Sequence, residues 1–314
     1  MFDIVYIILV FQNPNQIKKL VSSLNAKNVF FYLHVDKKTD QLIFEQSLSR
    51  LLNVNYRFIE DRNEISWGDS KMIKSILNLL KIVNVYHKNG YCILLSNNDY
   101  PIKSNYFIRN YLLSRYGNSF ISMVELPPSS DIYKQRLSNY KFDFSTNRKD
   151  LVLIPSIWDK SFYTKKTFRA FFRVLNSSNY KKLYKLFIKR EHPNFIEKVF
   201  WGSSYWALPI EVTDQILSFC NTNQNFVLYH EETFISDELF FQTILHHLQK
   251  TGKIETFFDV RCTYMKFEEG NSSPQVLLSS DFEELSSLPN RFLFARKFDS
   301  KIDQKIFELI DSIR

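Results

Sequence analysis

Cysteine and glycine are scarce in this sequence of 314 residues, which has three of the former and six of the latter. Cys92, Cys220 and Cys262 lie far apart, mostly in apolar surroundings and without a CxxC spacing. An odd, sparse set of this kind argues against a disulfide framework and favours a reducing compartment, so we expect a cytoplasmic protein. The shortage of glycine predicts few phosphate-binding loops built from that residue.

Long hydrophobic runs are also missing. The apolar stretch Phe2–Val10 covers about nine residues, and no basic region precedes it. Such a run is too short to cross a bilayer and lacks the flanks of a signal peptide. It predicts a buried strand, and we expect neither a signal peptide nor a transmembrane anchor.

Basic residues outnumber acidic ones by 41 to 33, which gives a net charge of +8. This balance suits an anionic ligand or an anionic membrane surface. Nucleic acid is not expected as a partner, because no recognition motif accompanies the charge. Hydrophobic residues make up 45% of the chain, which excludes disorder and suits a large core.

Much of the positive charge falls between residues 127 and 198, where lysine and arginine are interleaved with aromatic and aliphatic residues. The pattern predicts amphipathic helices. The ordinary interpretation is a solvated basic face on helices that pack against the core. Two alternatives stay open, namely peripheral contact with anionic membrane lipid and attraction of an anionic acceptor.

Strands and helices alternate along the first part of the chain. Ile4–Val10 and Val29–Val35 are typical of strands buried on both faces, and a helix begins between them at Asn13. Strand, helix and strand in this order form a right-handed βαβ unit. Further strands are predicted at Tyr56–Ile59, Tyr91–Ser96 and Phe120–Glu125, and a helix at about 70–87. The sequence therefore predicts one compact α/β unit with a mixed, mostly parallel central sheet flanked by helices.

Two aspartates lie just past predicted strands, where ligands of such sheets bind. Asp36 comes after the second strand and is placed to accept hydrogen bonds from a base or a ribose. Asp99 comes after the strand Tyr91–Ser96. An aspartate at a strand end is also an ordinary turn residue, and for Asp99 both interpretations stay open.

The segment Phe234–Leu245 carries the strongest catalytic candidate. Ser236 is a suitable N-cap, so we expect a helix from Asp237 with Glu238 in its first turn. The helix dipole favours an ionised carboxylate there, and a rigid carboxylate suits a general base. The alternative is that both acids merely complement the dipole.

Seven short motifs follow one another in an order that resembles a known family. They are Ile8–Val10, His34–Lys38, Ser66–Gly68, Leu95–Lys103, Gly202–Trp206, Ser236–Glu238 and Phe294–Asp299. The ordered set resembles the core-2/I-branching β-1,6-N-acetylglucosaminyltransferases and their peptide O-xylosyltransferase relatives, glycosyltransferase family 14. No single motif is specific, and the resemblance rests on their order from residue 4 to about residue 300.

The resemblance implies a GT-A-type fold. A nucleotide-sugar-binding half, at about residues 1–125, is continuous with an acceptor-binding and catalytic half at about 126–314. The implied reaction is inverting transfer of N-acetylglucosamine (GlcNAc) from UDP-GlcNAc to a saccharide hydroxyl, which makes a β-1,6-type branch. Glu238 matches the base that deprotonates that hydroxyl.

The same resemblance implies the other site residues. On the donor side, Val10 and Asp36 match positions that hold the uridine, and Lys297 matches a cation at the diphosphate. We add Asp99, from its place after a strand, and Arg296. On the acceptor side, Glu125, Lys134 and Arg136 resemble an acceptor-binding trio by their spacing, and Tyr264 falls near the family's acceptor-side aromatic residues.

Neither a metal nor another cofactor is expected. The chain contains no Asp-x-Asp, with which many GT-A enzymes hold a divalent ion. The family likewise works without metal, because basic side chains offset the diphosphate charge. Its second diphosphate cation, an arginine, aligns here near Ser272 or Ser273, so we expect Arg296 to substitute.

Several alternatives stay open. The donor can be UDP-xylose or a UDP-hexose other than UDP-GlcNAc, and a catalytically silent protein that binds a sugar or nucleotide is the main non-enzymatic alternative. The expected acceptor is a glycan or a lipid-linked saccharide. The composition favours a bacterial protein of surface-glycan synthesis, peripheral on the inner face of the membrane if it contacts lipid.

Overall fold

The computed structural model describes residues 2–66, 68–145, 150–271 and 273–314. Its strands are β1 (Asp3–Val10), β2 (Val29–Val35), β3 (Asn55–Phe58), β4 (Gly90–Ser96), β5 (Asp99–Pro101), β6 (Ser119–Phe120), β7 (Val124–Glu125), β8 (Asn139–Asp143), β9 (Leu151–Pro155), β10 (Phe200–Trp201), β11 (Ala207–Pro209), β12 (Phe258–Asp259), β13 (Thr263–Met265) and β14 (Phe294–Arg296). Its α-helices are α1 (Pro14–Leu24), α2 (Leu42–Leu48), α3 (Lys71–Tyr86), α4 (Asn105–Ser114), α5 (Asp131–Leu137), α6 (Lys165–Leu175), α7 (Ile210–Thr222), α8 (Gln224–Glu231), α9 (Phe240–Lys250), α10 (Phe282–Ser287) and α11 (Lys305–Ser312).

The central sheet has the strand order β12-β6-β11-β4-β1-β2-β3. Every neighbouring pair is parallel except the two that involve β11, which runs antiparallel to both β4 and β6. The prediction of an α/β fold with a mixed, mostly parallel sheet is confirmed. Apolar side chains from the two faces of this sheet form two separate large clusters with the helices that cover them.

The first βαβ unit forms as the local pattern predicts. β1 and β4 are almost completely buried, as expected for central strands covered on both faces. α1 begins with the side chain of Asn13 accepting a hydrogen bond from the backbone N–H of Gln16, and Pro14 occupies its first turn. The helix buries Ile17, Leu20, Val21 and Leu24 against the sheet.

The single strand predicted at Phe120–Glu125 is wrong. β6 lies in the central sheet, whereas β7 pairs with β10 in a separate sheet of two strands. Between them lies Ser122, whose carbonyl oxygen approaches the backbone of Gly202. The two halves of this extended run pair with different strands that are distant in the sequence, β6 with β11 and β12, and β7 with β10.

A smaller unit stands beside the central sheet. The hairpin of β8 and β9 packs with α6 around its own apolar cluster, which includes Phe142, Ile154, Phe162 and Val174. Elsewhere the helices are short, and α3 with its 16 residues is the longest that the structure describes. Among these described helices, none combines the length and the apolar character needed to cross a bilayer.

Candidate active site

Asp36 lies at the carboxyl edge of the central sheet, where β1 and β2 end. Its backbone N–H donates to the carbonyl oxygen of Val10 at 2.7 Å. Its carboxylate oxygens accept hydrogen bonds from the backbone N–H groups of Lys38, at 2.9 Å, and Ile65, at 3.0 Å. Each carboxylate oxygen can accept more than one bond. Asp36 therefore fixes two loops at this edge and keeps capacity for a ligand donor.

Asp99 and Arg296 face each other across the small antiparallel ladder of β5 and β14. The Nε atom of Arg296 lies 3.7 Å from Oδ1 of Asp99. The other oxygen of Asp99 accepts hydrogen bonds from the backbone N–H and the hydroxyl of Ser96, both at 2.6 Å. The guanidinium also lies over the ring of Tyr205, with Cζ 3.6 Å from the ring centroid. Asp99 therefore closes a turn and also pairs with a cation.

This pair is deeply buried, which affects the protonation of both groups. Burial raises the pKa of the Asp99 carboxyl, and the charge of Arg296 opposes that rise. Burial also lowers the pKa of the Arg296 guanidinium. Oδ1 of Asp99 and two guanidinium nitrogens of Arg296 have no hydrogen-bond partner among the described residues. Buried donors without partners are costly, so a ligand oxygen beside Arg296 would be stabilised.

Lys297 follows Arg296 directly and is only partly exposed. Its ammonium group donates to the hydroxyl of Ser273 at 2.5 Å, and its carbonyl oxygen accepts from the backbone of Leu277. Ser273 is one of the two positions where the family arginine was expected to align, and the other, Ser272, lies outside the described residues. At Ser273 the chain thus presents a hydroxyl to Lys297 in place of a second cation.

The predicted helix start at Asp237 is wrong. Ser236–Glu238 forms one turn of 3-10 helix, and α9 begins at Phe240. The hydroxyl of Ser236 is buried without a hydrogen-bond partner in the described part of the chain, so it does not cap a helix. Ile235 instead adopts a left-handed conformation, and its N–H donates to the carbonyl of Gly68. Long-range contacts therefore set this turn.

Glu238 faces a cation. Its Oε2 atom accepts a hydrogen bond from Nη1 of Arg136 on α5 at 2.8 Å. The Glu238 side chain is 33% exposed and that of Arg136 13%, so the pair is partly shielded from water while the carboxylate remains accessible. The backbone carbonyl of Glu238 also accepts a hydrogen bond from Gly202 at 2.9 Å. Arg136 thus supplies the positive charge that a helix N-terminus was expected to supply.

The linking loop, residues 201–205, connects the turn of Glu238 with Arg296. Its Ser204 hydroxyl donates to Oδ2 of Asp237 at 2.5 Å, and its Tyr205 ring covers Arg296. Burial raises the pKa of the Asp237 carboxyl, and the bond from Ser204 opposes that rise. These roles of Ser204 and Tyr205 were not predicted, although both residues belong to the motif Gly202–Trp206.

The structure brings only one of the four predicted acceptor residues to Glu238, namely Arg136. Glu125, on β7, forms an ion pair with Lys198 at 2.9 Å and lines a cavity of about 330 Å³. Lys134 is exposed on α5, two residues before Arg136.

Tyr264 lies on the outer side of this arrangement. Its hydroxyl donates to Glu284, and burial together with this partner raises its pKa to about 12. The next residue on β13, Met265, has its sulfur 4.0 Å from the hydroxyl of Ser203 in the linking loop. Successive side chains of a strand point to opposite faces, so Tyr264 points away from that loop.

Gly202 allows the linking loop to approach the chain at Ser122. A Cβ atom at this position would lie 1.9 Å from the carbonyl oxygen of Ser122. We expect Gly202→Ala to lower the free energy of unfolding by about 1–3 kcal/mol, because the backbone must shift. Denaturant unfolding would measure the loss, with Ser203→Ala as the neighbouring control. Unchanged stability would contradict this close packing.

Within the residues that the structure describes, no group of three or more His, Cys, Asp or Glu side chains is arranged to hold a metal ion.

Comparison with known proteins identifies the family. The Core-2/I-Branching enzyme model matches residues 4–283, which is most of the chain. The chain belongs to the Core-2/I-Branching enzyme family. The resemblance inferred from the ordered motifs is therefore confirmed.

Curated relatives include enzymes with two kinds of names. "Xylosyltransferase" of Ciona intestinalis and "Xylosyltransferase 2" of Homo sapiens are each 22% identical over 94% of this chain and 32% of their own length. The chain thus spans about a third of these relatives. "Beta-1,3-galactosyl-O-glycosyl-glycoprotein beta-1,6-N-acetylglucosaminyltransferase 4" of Danio rerio is 22% identical over 99% of this chain and 69% of its own length. The solved structure of mouse xyloside xylosyltransferase 1 aligns with 94% of this chain and 97% of its own at 12% identity, and its TM-score of 0.36 is too low to support an argument.

Proposed function

We propose that the chain is an inverting, metal-independent glycosyltransferase of GT-A type. It moves GlcNAc from UDP-GlcNAc to a saccharide hydroxyl and makes a β-1,6-type branch. Residues up to about 125 form the nucleotide-sugar-binding half, to which Arg296 and Lys297 add cations, and residues from about 126 to 314 form the acceptor-binding and catalytic half. The observation that carries this proposal is the accessible Glu238 carboxylate, which Arg136 orients and which the linking loop connects with Arg296.

Glu238 acts as the general base. Arg136 donates a hydrogen bond to one carboxylate oxygen, and the side chain is 33% exposed, so an acceptor hydroxyl can approach the carboxylate from solvent. As the hydroxyl attacks the anomeric carbon from the face opposite UDP, its proton passes to Glu238. A single displacement of this kind needs one base and inverts the anomeric configuration.

Cations stabilise the departing diphosphate. Arg296 carries buried N–H groups without hydrogen-bond partners among the described residues, and Lys297 adds an ammonium group directly after it. Donors held in place by the protein stabilise charge that develops on a leaving group. The uridine binds at the sheet edge formed by Val10 and Asp36, where Asp36 accepts hydrogen bonds from the ribose or the base.

UDP-xylose is the second candidate donor, because several of the curated relatives are named xylosyltransferases. A silent sugar-binding protein is the alternative without catalysis. For the setting, we propose a cytoplasmic enzyme of bacterial surface-glycan synthesis, with a glycan or lipid-linked saccharide as acceptor.

A panel of UDP-sugars, assayed for UDP release in EDTA with candidate saccharide acceptors, tests the proposal. We expect turnover of UDP-GlcNAc in EDTA at the rate seen with added Mg²⁺ or Mn²⁺, because Arg296 and Lys297 take the place of a metal. Faster turnover of UDP-xylose than of UDP-GlcNAc would show that UDP-xylose is the donor. Loss of activity in EDTA that Mn²⁺ restores would contradict metal independence, and failure of every UDP-sugar to bind or react would contradict the function.

A further inference from the structure

Helix α6 carries two apolar faces, of which only one is packed. Thr167 and Val174 are buried, and Val174 packs in the apolar cluster shared with the hairpin of β8 and β9, as expected for an amphipathic helix. Phe168, Phe172 and Leu175 follow the spacing i, i+4, i+7 and therefore share one side of the helix. Their exposed fractions are 43%, 55% and 45%. We name these three residues the exposed stripe.

An aromatic residue extends the exposed stripe. Tyr163 lies directly before α6 and is 66% exposed. The rings of Tyr163 and Phe168 both contact that of Phe162, with centroid distances of 5.3 and 5.9 Å. Large apolar side chains that lie together in water usually mark an interaction site.

Positive charge surrounds the exposed stripe. From residue 160 to residue 190 the chain contains ten basic residues and no acidic one. Lys165, Lys166 and Arg169 on α6 itself are all exposed. Arg173 is already engaged, because it pairs with Asp150 and stacks on Phe144. The remaining cations of α6 are therefore available to an anionic surface.

We infer that the exposed stripe docks on an anionic phospholipid membrane surface. Phenylalanine and tyrosine side chains settle at the boundary between head groups and acyl chains, and flanking lysine and arginine contact anionic head groups. Lys165, Lys166 and Arg169 of two copies would repel each other across a contact between the exposed stripes, which disfavours self-association. Membrane docking does not depend on the proposed chemistry, although it would bring the enzyme close to a lipid-linked acceptor.

Vesicle flotation of the full chain tests this inference. We expect binding to vesicles of phosphatidylcholine mixed with phosphatidylglycerol, little binding to phosphatidylcholine alone, and a decrease as salt is raised. Phe168→Ser with Phe172→Ser should weaken binding by about 10-fold or more. Lys165→Ser, Lys166→Ser and Arg169→Ser together should weaken it by about 100-fold.

A matched control uses apolar residues exposed elsewhere. Tyr106 and Leu113 lie seven positions apart on α4 and are also exposed. Serine at both positions should leave vesicle binding unchanged. The inference would be overturned if the control lost as much vesicle binding as the variant with serine at Phe168 and Phe172. Equal binding of the parent protein to both kinds of vesicle would also overturn it. A dimer that depends on Phe168 and Phe172 would also overturn it, because a second copy would then cover the exposed stripe, and light scattering would detect that dimer.

Discussion

Replacing Glu238 by glutamine is expected to lower kcat for sugar transfer by about 10²-fold or more, because the general base is lost. Glutamine keeps the size of the side chain, and its carbonyl oxygen can still accept the hydrogen bond from Arg136. The turn should therefore keep its shape. KM for the UDP-sugar should change little, since Glu238 is proposed to contact the acceptor and not the donor.

Glu232→Gln provides the matched control. Glu232 is similarly exposed and also faces a cation, Lys185, at 2.6 Å, but no role in the reaction is proposed for it. The free energy of unfolding of both variants, measured with denaturant, should equal that of the parent protein within a few tenths of a kcal/mol, as expected for partly exposed pairs. Transfer activity of Glu238→Gln within threefold of the parent would show that another group accepts the proton.

The central βαβ elements could be predicted because local patterns decide them. Continuous apolar runs predict β1 and β2, and Asn13 with Pro14 marks the start of α1. Burial on both faces of a parallel sheet is visible in the sequence as a nearly continuous apolar run, which His34 alone interrupts in β2. The carboxyl edge of the sheet follows from the same strands, so the place of Asp36 was predictable as well.

The turn of Glu238 was harder to predict, because distant residues determine it. Ser236 looks like a helix cap locally, yet Ile235 is held by Gly68 and the carbonyl of Glu238 by Gly202. Arg136 lies 102 positions before Glu238, and no short-range pattern indicates their ion pair. The order of motifs identified which segments belong together, but the contacts between them required the structure.

Replacing Lys297 or Arg296 by methionine is expected to separate catalysis from folding. Lys297→Met should lower kcat/KM for the UDP-sugar by about 10²-fold, because a donor to the leaving diphosphate is lost. The free energy of unfolding of this variant should fall by about 1 kcal/mol through loss of the hydrogen bond to Ser273. Arg296→Met should also impair catalysis, and it should destabilise the fold by about 3–5 kcal/mol, because Asp99 is left buried without its cation.

The loss of stability in Arg296→Met should depend on pH. Burial already raises the pKa of Asp99, and removal of the guanidinium raises it further. The unfolded carboxyl has a pKa of about 3.9, so the unfolded state releases this proton at a lower pH than the folded state does. Stability should therefore decrease as pH rises above about 4, until Asp99 ionises in the folded variant.

Adding Asp99→Asn to Arg296→Met removes the titrating group and tests this explanation. The double variant should lose the extra pH dependence and recover part of the stability at neutral pH, but it should not recover catalysis, because the diphosphate still lacks Arg296. Denaturant unfolding at pH 4 and pH 7, with UDP release on the same samples, measures both quantities. If Arg296→Met were as stable as the parent at neutral pH, the buried pair would not support the fold. If it also kept full activity, the diphosphate would be held by other residues.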